Sequence, residues 1–192
     1  MTETGKGTRK KLAKAAWALA LAGTLVCMPT QASAARPNKA TVKKAYKTYV
    51  KKKLSSVAGG AAYCDVDQDG VPEMFFSYTK GNKNGLKVFT YQKGKVVSMK
   101  SQQGTGTDQV YYNKKKKQVC IVISDSDGMS ATFTFYKKNG KKLKKVQEYK
   151  CIYSADGMSV NFYKNGKNIS VEKYLAMRDQ LTKWKGVYST AG

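Results

Sequence analysis

Three aspartates at alternate positions followed by a glycine, Asp65, Asp67, Asp69 and Gly70, are the residues of this chain whose types and spacing carry the clearest chemistry. Hard cations such as Ca²⁺ take oxygen ligands, and acids at loop positions 1, 3 and 5 converge three carboxylates on one point. Glycine at position 6 permits the sharp turn that brings them together. In an EF-hand a bidentate Glu closes the site at position 12, whereas here position 12 is Phe76, position 8 is Pro72, and the acidic candidate is Glu73 at position 9. The stretch from Asp65 to Glu73 reads as a calcium loop of another kind, with the ion in a structural role; the plainer alternative is a polar turn. Gly59-Gly60 before it and Met74-Phe75-Phe76-Ser77-Tyr78 after it suit strands on either side, because glycines discourage a helix and aromatics favour a strand.

Little else in the chain suits a catalyst. There is no histidine, so the commonest general base and the usual partner of a Ser or Cys nucleophile are missing. A glycosidase needs two facing carboxylates, and the acids outside the loop are scattered. A non-enzymatic domain is expected. A surface enzyme with an unfamiliar site would instead need a deep pocket lined by some of Glu148, Glu172 and Asp179. Asp125, Asp127 and Asp156 could make a second metal site, but acids in such stretches more often make Asx-turns.

The elements that must position the loop are legible in the apolar periodicities. Val42, Ala45, Tyr46, Tyr49, Val50 and Leu54 recur at helical spacing and predict one amphipathic helix over 40–54, with lysines outward. From Ala61 to about Tyr163 the text changes to short Val, Ile, Thr, Tyr and Phe runs broken by Gly, Asn, Asp and Lys, which predicts antiparallel strands near 61–64, 73–79, 86–91, 95–100, 109–112, 118–124, 130–136, 143–153 and 158–163. Asn139-Gly140 and Asn165-Gly166 predict type I′ hairpin turns. Ser170 then caps a last helix through Val171, Tyr174, Leu175, Met177, Leu181 and Trp184, stopped at Gly186. The fold class is α+β: an antiparallel meander, open or barrel-like, flanked by an N-terminal and a C-terminal helix. The divisions are 1–34, 35–60 for helix and linker, 61–169 for the β domain, and 170–192 for helix and tail.

An up-and-down meander sends successive turns to alternate ends of the sheet. One end then collects the acidic loop with Lys93, Lys95, Lys114, Lys115, Lys116, Lys117, Lys137, Lys138, Lys141, Lys164 and Lys167, backed by Tyr91, Tyr111, Tyr112, Tyr136 and Tyr163. A basic rim with tyrosines behind it suits an anionic polymer or glycan, since lysines attract at long range and aromatic faces give contact. Edge lysines that only prevent sheet-to-sheet pairing are the competing explanation.

The run from Tyr63-Cys64-Asp65 through Glu73-Met74-Phe75 resembles the D-x-D-x-D-G-x-x-E loop of FG-GAP and VCBS-type β repeats. It is also similar to the loop of small exported proteins of clostridial-type bacteria, in which a Tyr-rich, Lys-rich β region follows, a likeness of pattern over about residues 38 to 185. The resemblance implies Asp65, Asp67, Asp69 and Glu73 as side-chain Ca²⁺ ligands, with the carbonyl of Val71 a further one. It implies no biochemical activity.

Lys6, Arg9, Lys10, Lys11 and Lys14, then an apolar run from Ala15 to Met28, then Ala32-Ser33-Ala34, read as a secretory signal peptide cleaved near Ala34. Lipid attachment at Cys27 would need a small residue before it, and Val26 stands there. Removing residues 1 to 34 takes five bases and one acid from the chain's 36 Lys+Arg and 12 Asp+Glu, leaving 31 against 11, or +20. Such a charge suits cell-wall or membrane-surface association outside the cell rather than a specific nucleic acid, and a monomer is expected. A protein-binding effector or enzyme inhibitor remains the alternative class; it would show a compact apolar patch instead. Cys64, Cys120 and Cys151 stay in the mature chain, an odd number without C-x-x-C, and read as reduced strand residues. Turn positions put Cys120 opposite about Thr134 and Cys151 opposite about Gly128, too far apart to bridge.

Overall fold

The computed structural model describes residues 36–81, 83–104, 108–125 and 128–189. The expected signal peptide with Cys27 lies outside these residues, as does Asp127. Helix α1 spans Lys39–Lys53, its start fixed by the Asn38 side chain, which accepts the Ala40 N–H at 2.9 Å. Lys51, Lys52 and Lys53 in its last turn complement the negative end of the helix dipole. Four strands follow as one antiparallel meander: β1 (Ala58–Cys64), β2 (Glu73–Lys80), β3 (Lys83–Gln92) and β4 (Lys95–Gly104). A second sheet holds β5 (Asp108–Asn113), β6 (Gln118–Ser124), β7 (Ser130–Asn139), β8 (Lys142–Tyr153), β9 (Val160–Lys164) and β10 (Lys167–Asn168), again in chain order. Helix α2 (Val171–Thr182) leads to β11 (Lys185–Ser189), which pairs with β5 at the far edge. The fold is mixed α+β, as expected, with two open antiparallel sheets.

Alternation along the strands decides what each face meets. In β2, Met74, Phe76 and Tyr78 pack with Val42 and Tyr46 of α1, while Phe75 points the other way and packs with Leu86 and Val88 of β3 and Val119 and Ile121 of β6. Phe75 is fully buried there, so both faces of β2 are covered. In β6, Cys120 and Val122 turn from that core toward Phe133, Phe135, Tyr174, Met177 and Leu181, which places α2 on the outer face of the second sheet. The layers therefore run α1, first sheet, second sheet, α2. Each interface has its own apolar cluster.

Several local details differ from expectation. Asn139 pairs with Lys142, so the two-residue loop is Gly140-Lys141, and only Gly140 has positive φ, at 57°. That is the sign pattern of a type II′ turn, one residue later than the type I′ turn expected. Asn165-Gly166 is type I′ as expected, and Lys93-Gly94 is a further one, with φ of 48° and 77°. Ser170 occupies the N-cap without a side-chain cap bond, and α2 ends at Thr182, before Trp184 and Gly186. Gly186 lies within β11 instead of stopping the helix. Leu175, placed on the apolar helix face by spacing, is 52% exposed.

Cys64, Cys120 and Cys151 are free and buried. Cys120 faces Phe135 and Cys151 faces Ala131, one and three residues from the positions expected. The two thiols sit two strands and four residues apart, about 13 Å along the strands alone, so the conclusion against a bridge holds.

Candidate functional site

The loop between β1 and β2 is shaped first by its own backbone. Both carboxylate oxygens of Asp65 accept loop N–H groups, from Asp69 at 3.1 Å and Gly70 at 2.9 Å. Asp69 accepts the Val71 N–H at 2.8 Å, and Glu73 accepts the Val66 N–H at 3.0 Å. Gly70 takes φ 89°, a value that glycine adopts at no steric cost. The loop is moored to the second sheet, since Tyr112 Oη donates to the Asp65 carbonyl at 3.0 Å and Gln68 Nε2 to the Lys114 carbonyl at 2.6 Å.

The acids converge, and a cation stands at the point of convergence. It is Lys138. Its Nζ lies 3.1 Å from Asp67 Oδ1, 2.8 Å from Asp69 Oδ2 and 2.9 Å from Glu73 Oε1, with its side chain only 2% exposed. The topology explains the meeting. Thr134, Tyr136 and Lys138 of β7 share the face turned toward the first sheet, opposite Phe133 and Phe135, which face α2. Glu73 shares with Phe75 the face of β2 turned toward the second sheet, where Thr90 Oγ1 also donates to it at 3.1 Å. An acid and a base on two apolar faces thus find each other at the sheet ends.

Burial pushes the Glu73 carboxyl up to about 7, against the opposing pull of its hydrogen bond with Lys138. Burial would lower Lys138, but its bonds to Asp69, Glu73 and Asp67 outweigh that and hold it above the ordinary lysine range. The ammonium is therefore charged at neutral pH.

The donor set suits a cation, since one oxygen each of Asp65, Asp67 and Glu73 lie within 4.8 Å of one another. A calcium ion must approach such oxygens to 2.3–2.6 Å. The Lys138 ammonium already holds one oxygen each of Asp67, Asp69 and Glu73, so it would compete with such an ion for the two acids common to both sets, Asp67 and Glu73. Asp65 serves the loop's backbone, and Val71 enters through its N–H and its buried side chain.

Turn order places Lys138 among the rim lysines, but its ammonium lies instead among the loop's acids. The other ten, Lys93, Lys95, Lys114, Lys115, Lys116, Lys117, Lys137, Lys141, Lys164 and Lys167, are exposed. Their turns share one end of each sheet, and the loop's contacts with Lys114 and Lys138 bring the two ends together. Of the tyrosines behind them, Tyr91, Tyr111 and Tyr163 are half-buried and two are less available. Tyr136 is buried with Lys100 Nζ over its ring, and Tyr112 is tied to Asp65.

At the opposite end, Asp125 accepts the Ser130 hydroxyl, and Asp156 accepts the Ser154 hydroxyl and the Met158 N–H, in short local turns. The Ser154 bond comes first among those that hold the Asp156 carboxyl below its ordinary value. Glu148 lines an open groove of about 500 Å³ with Lys100, Gln102, Thr132, Thr134 and Tyr136. No second carboxylate joins it among the described lining residues, and Glu172 and Asp179 are exposed on α2. No described helix is long and apolar enough to cross a membrane. Comparison with protein-family models, with curated proteins and with solved structures gives no match.

Proposed function

We propose that this chain is an exported, non-enzymatic domain that holds anionic polymer of the cell envelope or its surroundings against its lysine-bearing end. The observation that carries the reading is the gathering of the exposed turns Lys93-Gly94, Lys114–Lys117, Gly140-Lys141 and Asn165-Gly166 at one end, tied together through the acidic loop. Four consecutive exposed lysines in the β5–β6 turn are its densest part. Long-range attraction from such a surface concentrates a polyanion without a shaped pocket.

The tyrosines sharpen the class of ligand. Tyr136 is buried and Tyr112 tethered, which leaves the half-buried Tyr91, Tyr111 and Tyr163 to offer aromatic contact, so the exposed lysines carry most of the binding and the ligand is recognised chiefly by charge. Retention on immobilised long-chain polyphosphate, a stand-in for phosphate-bearing envelope polymers, is the test. Retention should fall steeply with NaCl, because exposed charges are screened over about 8 Å at physiological ionic strength. Replacing Lys114, Lys115, Lys116 and Lys117 with Ser should weaken it more than replacing Lys43, Lys44, Lys47 and Lys51 on α1. Equal losses would mean that net charge, rather than this end of the sheets, does the binding.

A further inference from the structure

The loop's pattern leads one to expect a metal, and its geometry already contains a cation. We propose that Lys138 is the resident cation of the Asp65–Glu73 loop, its ammonium taking the position that a divalent ion takes in loops of this pattern. The chain keeps its carboxylates converged without metal.

Three observations carry this. First, the ammonium meets the acids at loop positions 3, 5 and 9, which are Asp67, Asp69 and Glu73, within 2.8–3.1 Å, the range of charge-assisted bonds. Second, it arrives from the other sheet along an inward-facing strand position and is 2% exposed, so the contact is part of the packed interior. Third, the charges balance where water is excluded. Glu73 is 0% exposed and needs a fixed partner, whereas Asp67 and Asp69 are 30% and 42% exposed and keep part of their hydration. One buried acid meets one buried base. The loop's remaining shape comes from Asp65, whose carboxylate closes it through the N–H groups of Asp69 and Gly70. The contact also joins the two sheets at the end that carries the lysine turns.

The polyphosphate reading survives a failure of this inference, because Gln68 and Tyr112 also tie the loop to the second sheet. The test is thermal unfolding of the protein in EDTA and in millimolar Ca²⁺, for the native sequence, Lys138→Met and Lys138→Gln. The native protein should melt at the same temperature in both buffers. The variants should melt lower in EDTA and regain several degrees in Ca²⁺, since the vacated oxygens then bind the ion and ligand binding raises apparent stability. A calcium-dependent rise in the native protein would overturn the proposal, as would folded variants indifferent to calcium. If neither variant folds, the native protein still decides. A buried, paired ammonium should give a slowly exchanging ¹⁵N signal in lysine-labelled protein, unchanged by Ca²⁺ and lost in Lys138→Arg. Its absence, or its loss on adding calcium, would overturn the assignment.

Discussion

Removing Lys138 should be among the most damaging single changes outside the apolar core. In Lys138→Met the stem still packs, but three carboxylates lose their common partner. Breaking a buried ion pair from one side typically costs about 3–5 kcal/mol, because the remaining charge stays buried. Asp67 and Asp69 are partly open to water and recover some hydration, so the loss falls on Glu73, which is 0% exposed. Protonation of Glu73, already pushed up to about 7, caps that loss. The expected cost is therefore at the lower end, about 3 kcal/mol. At about 2–4 °C per kcal/mol for a domain of this size, the melting point falls by roughly 6–12 °C. Glu73→Gln in the same background should recover part of it, with a coupling of about 1–3 kcal/mol between the two positions. Urea unfolding followed through the buried Trp184 measures both quantities, provided the slopes agree. A Lys138→Met cost below about 0.5 kcal/mol, the level of an ordinary surface substitution, would refute the reasoning. So would strict additivity.

Other expectations follow from groups away from the loop's centre. Burial pushes Cys64 up to about 12 and raises Cys120 and Tyr46 still further, so all three are neutral when folded. Each contributes stability that is present below its unfolded value, 9.0 for the thiols, and lost as pH rises toward the folded one, as Lys138 does from 10.5. The urea midpoint should fall from pH 9 upward, and a rise there would contradict these environments. Tyr46→Phe should cost about 1–3 kcal/mol by leaving the buried Pro72 carbonyl without the hydroxyl it accepts at 2.9 Å, measured against a neutral control such as Lys47→Arg. Gly59→Ala should destabilise by about 1–3 kcal/mol, because the new methyl would collide with the Ser77 carbonyl across the β1–β2 pair. Gly60→Ala, with open space at the same point, should be tolerated by comparison in a melt.

The sequence made the alternation of strands legible because short aromatic and β-branched runs were punctuated by glycine and asparagine turns. Every strand expected between Ala61 and Tyr163 is present. The division into two sheets was not legible, since a chain that steps from β4 into a new sheet reads locally like one that continues the old. β11 was hidden by Gly186, which is read more readily as a helix stop than as a strand residue at an irregular register, where the pairing with β5 shifts between Gly186 and Tyr188. The convergence of acids in the loop was legible from spacing alone. Its cation was not, because that required knowing which face of β7 looks at the first sheet. The signal was nonetheless present: Lys138 continues the alternation of Thr134 and Tyr136, and a lysine on an inward face calls for an acid opposite.

The central claim is that one end of the two sheets meets the polyanion, and amide chemical shifts on addition of polyphosphate at low salt test it most directly. Shifts should concentrate at residues 93–95, 114–117, 137–142 and 164–167, and should vanish as NaCl is raised. Shifts centred on α1, or an even response across all lysines, would contradict it.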